Sequence, residues 1–235
     1  MGYTGSMTGF RLIAALPLLA LIGAAPAIFP RPVRPIASIV SAEWSDETSR
    51  DHAREAEQVM VFLGVRPGMV IADIGAGSGY YTVRLAPRVL PGGKVVAEDI
   101  VPSYLTKLRA RVRRARLSNV QFVLGRADNP GLRAASVDTA LLVHMYHEIQ
   151  QPYALLWHLR ASLRPGGKVA IVDIDRPTPQ HGTPRALLAC ELAAVGFKRV
   201  GNLDLDDDGV YLALFEPVGP RPVPGRIRAC RAPAA

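Results

Sequence analysis

Short apolar runs recur along this chain, and between them lie segments whose apolar positions repeat at helical spacing. Val70 to Ile74, Lys94 to Ile100, Val120 to Leu124, Val137 to Met145 and Lys168 to Ile174 are near-continuous hydrophobic stretches. Strands take that form when both faces of a parallel sheet are covered. Helical patterns fall between them: Tyr80 to Val89, a segment from Pro102-Ser103 that buries Leu105, Leu108 and Val112, and Pro152 to Leu163. An earlier one, capped at Ser49-Arg50-Asp51, carries Ala53, Ala56, Val59, Met60 and Leu63 on one side and stops at Gly64 and Pro67-Gly68. Pro-Gly-Gly-Lys stands before a strand at both Pro91 and Pro165 and marks successive helix-to-strand turns. A last helix, Arg185 to Val195, leads into strands Phe197 to Leu205 and Val210 to Pro217 around an Asp-Gly turn, a hairpin signal. Alternation of this kind predicts an α/β, doubly wound sheet.

The first run ends in Asp73 and passes into Ile74-Gly75-Ala76-Gly77-Ser78-Gly79, with a helix following at once. Glycines let main chain approach a ligand, and the helix start offers unpaired N–H groups beside it. The second run ends in Glu98-Asp99, and Asp99 lies 20 residues after Gly79, the spacing of an acid that accepts from ribose hydroxyls. A dinucleotide fingerprint needs Gly-x-Gly-x-x-Gly, and Tyr80 takes the place of its last glycine. The tip of the fourth run continues into Tyr146-His147-Glu148, polar groups at the carboxyl end of a strand, where ligands of such sheets lie.

These stretches resemble the class I S-adenosylmethionine-dependent methyltransferases. Asp73 to Gly79 is similar to their first motif, Ala97-Glu98-Asp99-Ile100 to their second, and Tyr146-His147-Glu148 to a bacterial subgroup; the likeness covers about Ser49 to Pro217. It implies a Rossmann-like sheet of seven strands, mostly parallel, with an antiparallel last strand. It implies S-adenosylmethionine as cofactor, held by Asp73, Gly75, Ala76, Gly77, Gly79, Asp99, Ile100, Ala127, Asp128 and His144. Asp99 would serve the ribose, Asp128 the adenine, and Asp73 with the glycine loop the methionine part. Arg126 stands where many members carry an acid. Tyr146, His147 and Glu148 are the catalytic candidates, placed to hold a small-molecule or lipid-like acceptor. The Asn-Pro-Pro-Tyr pattern of many amino-methylating members is missing, which argues against a nucleic-acid acceptor. An NAD-dependent oxidoreductase and a non-catalytic, membrane-associated cofactor-binding protein are the alternatives.

Charge and cysteines refine this only slightly. The 235 residues carry a net charge of +8, and Lys107, Arg109, Arg111, Arg113, Arg114 and Arg116 crowd one helix. With no RNA-binding module beside it, that face reads as solvated or as leaning on anionic lipid. Cys190 and Cys230 are too few for a zinc site and read as unrelated thiols, although an oxidising compartment could join them. His144 and His147 fit neither His-Glu-x-x-His nor its inverse, so no metal is expected.

Arg11, the apolar run Leu12 to Phe29 and Ala25-Pro26-Ala27 have the layout of a secretory signal cleaved after Ala27, or of an uncleaved anchor. Residues 1–29 are therefore expected to be leader, 30–43 linker, 44–217 the methyltransferase domain and 218–235 a disordered tail. Export or inner-membrane association follows, or a cytoplasmic location if the start lies elsewhere, as at Met7. The motifs do not bear on oligomeric state.

Overall fold

The computed structural model describes residues 1–2, 28–39 and 47–231. The expected leader falls almost wholly outside them. Among the described residues no helix is long and apolar enough to cross a membrane.

Two short helices, α1 (Glu47–His52) and α2 (Glu55–Phe62), precede the sheet. The order then runs β1 (Val70–Ile74), α3 (Tyr80–Arg88), β2 (Lys94–Asp99), α4 (Pro102–Arg114), β3 (Val120–Leu124) and β4 (Val137–Val143). It continues with α5 (Pro152–Ser162), β5 (Leu163–Ile174), α6 (Arg185–Ala194), β6 (Phe197–Asp204) and β7 (Val210–Pro217). The strands form one seven-stranded sheet in the order β3-β2-β1-β4-β5-β7-β6. The first five pair in parallel, and β7 runs antiparallel to both β5 and β6. The expected fold is thus the observed one.

Burial explains the apolar runs. Every residue of β1 is buried, as are Val169 to Val172 of β5, because helices cover both faces. One layer gathers Ile74, Leu142, Tyr146, Leu156 and Leu192; the other gathers Val59, Ile71, Tyr81, Leu85 and Leu141. Gly79 shows how tightly the layers close. Its φ is +87°, and a Cβ there would come within 2.1 Å of Leu108 on α4.

Several expectations need correction. The leading helix is two helices, broken where Arg54 adopts a left-handed φ of 52°, and it begins at Glu47, so Ser49 lies inside it and caps nothing. Strand β4 stops at Val143, because His144 turns left-handed at φ 51° and redirects the chain. Strand β5 starts at Leu163, running through the Pro-Gly-Gly segment with a register shift against β4.

The largest correction concerns the tail and the cysteines. Cys190 on α6 and Cys230 form a disulfide across 40 residues. The segment between β7 and Cys230 lies on the body: Trp157 donates its indole N–H to the Pro222 carbonyl at 2.8 Å, and Ile227 is buried. Arg160 donates to the carbonyls of Val218 and Gly219. Enough apolar and hydrogen-bonded surface is present to order it, despite its proline-rich composition.

Cross-linking a loop of this length stabilises a fold by about 4 kcal/mol. Replacing both cysteines by serine is therefore expected to lower the thermal midpoint by several degrees. A thiol titration of the denatured, unreduced protein should find no free sulfhydryl.

Candidate active site

The carboxyl ends of β1, β2 and β4 open into a cleft of about 620 Å³, counting the space open to solvent, lined by Gly75, Asp99, Ile100, Met145, Glu148 and Leu155 among others. Such crevices form where parallel strands end and the chain leaves in opposite directions. Beside it, sharing Gly75, lies a hollow of about 470 Å³ bordered by Arg50, Asp73, Gly77, Tyr81 and His144.

Asp99 joins the two loops that frame the cleft. One carboxylate oxygen accepts from the Gly77 N–H at 2.8 Å and the other from the Val101 N–H at 2.8 Å. Burial raises its pKa, against the pull of these N–H groups. Glu98, its neighbour, is also buried and accepts from the Gly75 N–H at 3.3 Å. Its other oxygen has no hydrogen-bond partner among the described residues. Burial pushes Glu98 up to about 8, the charges of Asp99 and Asp73 adding to it. A Cβ at Gly125 would lie 1.7 Å from that oxygen, so only glycine leaves it room.

Asp73 does not reach the open hollow as a free acid. It is buried, accepts from the Thr82 hydroxyl at 2.5 Å, and burial raises it to about 6. The hollow is closed instead by a polar set from the leading helices. Glu55 accepts from Arg50 at 2.6 Å and from the Tyr81 hydroxyl at 2.8 Å, and lies 3.1 Å from His144 Nε2. Burial alone would raise Glu55, but His144 and Arg50 outweigh it and hold it at about 2.

At the cleft's other end the Tyr146–Glu148 residues form a single 3-10 turn, and they do not act alike. Tyr146 is fully buried and donates to Glu191 at 2.8 Å. Glu191 in turn pairs with Arg34 at 3.1 Å, and Arg34 donates to the carbonyls of Tyr146 and His147. Tyr146 is thus part of the scaffold, contrary to the expectation that it faces an acceptor. His147 lies against Asp173, Nδ1 to Oδ1 at 3.0 Å, and Glu148 lines the cleft. Asp128 departs from expectation as well: its half-exposed side chain turns toward Arg126 at 3.4 Å, while Ala127 and Arg126 border the cleft. Glycines 75, 77 and 79, with Ala76, form the loop between β1 and α3 as expected, and Ile100 stands at the cleft wall.

Glu98, Arg50, Glu55 and Asp173 carry much of this geometry and were not singled out from the sequence. A glutamate on the apolar side of a helix and an acid closing an apolar strand were the available signals, at Glu55 and Asp173.

Residues 71–167 match the model of a methyltransferase domain family. An arsenite methyltransferase of Halobacterium salinarum is 31% identical over 121 residues, 50% of this chain and 30% of that protein. A ubiquinone/menaquinone biosynthesis C-methyltransferase of Shewanella oneidensis is 28% identical over 160 residues, 68% of this chain and 62% of that one. The chain thus spans under two thirds of the length of these relatives. A solved S-adenosylmethionine-dependent methyltransferase from Aquifex aeolicus superposes with a TM-score of 0.63 at 21% identity, over 73% of this chain and 97% of its own. The [4+2]-cyclase SpnF does so at 0.64 and 15% identity, over 80% and 100%. At such identities these two likenesses concern the fold.

The raised pKa of Glu98 makes stability depend on pH. Between its ordinary 4.5 and about 8 the folded protein holds more protons than the unfolded chain. This contribution is complete below pH 4.5 and lost as pH rises through 8. Glu98→Gln, neutral throughout, is expected to be more stable than wild type at pH 8 by on the order of 1 kcal/mol. Thermal melts of both proteins at pH 5 and pH 8 measure this, with the gap closing at pH 5.

Proposed function

From the match of residues 71–167 to a methyltransferase domain family, we propose that this protein is a class I S-adenosylmethionine-dependent methyltransferase that transfers the methyl group to a small-molecule or lipid-like acceptor. The observation that carries it is the Asp99 carboxylate bound to the Gly77 N–H at the mouth of the cleft. Each carboxylate oxygen has a second lone-pair direction, so Asp99 can hold the loop and accept from ribose hydroxyls together. Ile100 and Leu155 give the adenine apolar walls, with Ala127 at the rim. This reading assigns the rim to Ala127 backbone rather than to the Asp128 side chain, which Arg126 diverts.

The methionine end fits the smaller hollow. Arg50 there is a cation for its carboxylate, and His144 and Gly77 border the same space. Asp73 acts by fixing Thr82 and the loop from beneath. The cofactor supplies a methyl already activated on sulfonium. The protein therefore has to align the acceptor behind that carbon and keep water away. Glu148 stands at the cleft end where the acceptor would lie, with the buried His147 next to it in the turn, and the buried Arg34–Glu191–Tyr146 network holds that turn in place. Relatives named for arsenite and for quinones point to small acceptors, without choosing among them.

The disulfide also bears on location. Such bonds persist in oxidising compartments, and this agrees with the signal-like leader, so export or attachment to the membrane's outer side is part of the proposal. S-adenosylmethionine would then have to be supplied from the cytoplasm.

Calorimetric titration with S-adenosylmethionine and S-adenosylhomocysteine is the test. Micromolar binding is expected, weakened tenfold or more in Asp99→Ala, in line with the loss of about 1.5–3 kcal/mol for hydrogen bonds to a charged group. NADH should give no heat. Binding of NADH and not of the methyl donor would instead support an oxidoreductase. Mass spectrometry of the exported chain should find Ile28 as its first residue.

A further inference from the structure

The acceptor end of the cleft holds a grouping that no sequence motif announces. His147 and Glu148 lie in the turn after β4, and His181 comes from the loop between β5 and α6. One potential ligand atom from each lies within 4.8 Å of the other two. The imidazole rings of His147 and His181 meet edge to face at 5.5 Å between centroids.

Three features set this apart from ring packing alone. Asp173 accepts from the Thr183 hydroxyl at 2.7 Å and from the Ile174 N–H at 2.9 Å, so it also acts as acceptor toward His147 Nδ1, 3.0 Å away. Toward that acceptor Nδ1 donates, and in the neutral ring the lone pair then falls on Nε2, the nitrogen left for the cluster. A carboxylate behind an imidazole is how metal-binding histidines are oriented and made more basic. Next, the nearby Arg34 guanidinium is matched by the fully buried Glu191 carboxylate at 3.1 Å, so its charge is already answered. Lastly, Glu148 lines the cleft, so one member of the cluster faces the space where an acceptor would enter, with the buried His147 behind it.

We propose that His147 Nε2, the Glu148 carboxylate and the His181 imidazole form a binding site for a divalent transition metal of the zinc class. Two imidazoles with one carboxylate favour zinc, cobalt or iron(II) over magnesium or calcium, which prefer oxygen alone. Three protein ligands leave a fourth tetrahedral position open. On the methyltransferase reading, that position takes a hydroxyl or thiol of the acceptor. Coordination would ease loss of its proton to solvent and leave the lone pair on oxygen or sulfur as nucleophile. This role rests on that reading; the metal site itself does not.

The test uses the full chain, stripped with chelator and titrated with cobalt(II) and zinc(II). One equivalent of cobalt is expected, with visible absorption bands of tetrahedral intensity that zinc abolishes. His181→Ala, a change at a partly exposed loop residue, should weaken cobalt binding at least tenfold. It should leave the metal-free thermal midpoint and the S-adenosylmethionine titration as in wild type. Glu148→Gln should also weaken cobalt binding. Substoichiometric cobalt, or binding that His181→Ala does not alter, would overturn the site and leave the two rings as packing. Calorimetry with S-adenosylmethionine on the same samples keeps the two readings apart, since a bound metal without cofactor binding would remove the acceptor role but not the site.

Discussion

The carboxylate of Asp99 is the constraint on which the cleft depends. It is buried at the end of β2 and holds the Gly77 N–H of one loop and the Val101 N–H of the next. Without it both loops would expose unpaired donors at the sheet edge, a cost of roughly 1–3 kcal/mol for each buried group. Its charge in turn dictates what may sit nearby. Asp73 and Glu98 are also buried beside it, and three carboxylates cannot all ionise there cheaply. Burial and mutual repulsion move Glu98 to about 8, so near neutrality it keeps its proton.

Much of this was legible in the residues. Strands β1 and β3 run as the apolar pattern predicts, β7 begins where the hairpin signal puts it, and Asp99 lies at the predicted mouth. Local chemistry decides those features, and local chemistry is what a linear pattern records. The misses lie where distant segments meet. Glu55 reaches His144 across 89 residues, and Arg34 reaches Glu191 across 157. Neither pairing has a signature in the neighbouring sequence. The tail was misread for the same reason: a proline-rich stretch looks disordered until a cysteine far upstream is known to hold it. At Asp128 the pattern suggested an adenine ligand, but Arg126 two residues earlier claims its carboxylate. Tyr146 was expected to face an acceptor because it follows a strand tip; in fact β4 ends early and the turn folds inward.

Helix α6 ties the ends of the fold together. Adjacent residues on it face different partners: Cys190 bonds Cys230 near the end of the described chain, and Glu191 clasps Arg34 near its beginning. Residues 35 and 37 continue that clasp, the Pro35 carbonyl accepting from Thr178 and the Ala37 N–H donating to the His147 carbonyl. The belt lies over the turn that carries His147 and Glu148, so the ends of the chain brace the acceptor end of the cleft.

This arrangement has a consequence in time. Arg34 cannot find Glu191 until 157 further residues have been synthesised, which at about 5–20 residues per second takes roughly 8–30 s. Throughout that interval the Arg34 guanidinium lacks its charged partner on α6, although the Tyr146 and His147 carbonyls are made earlier. The ion pair that locks this segment down is therefore among the last contacts the growing chain can make.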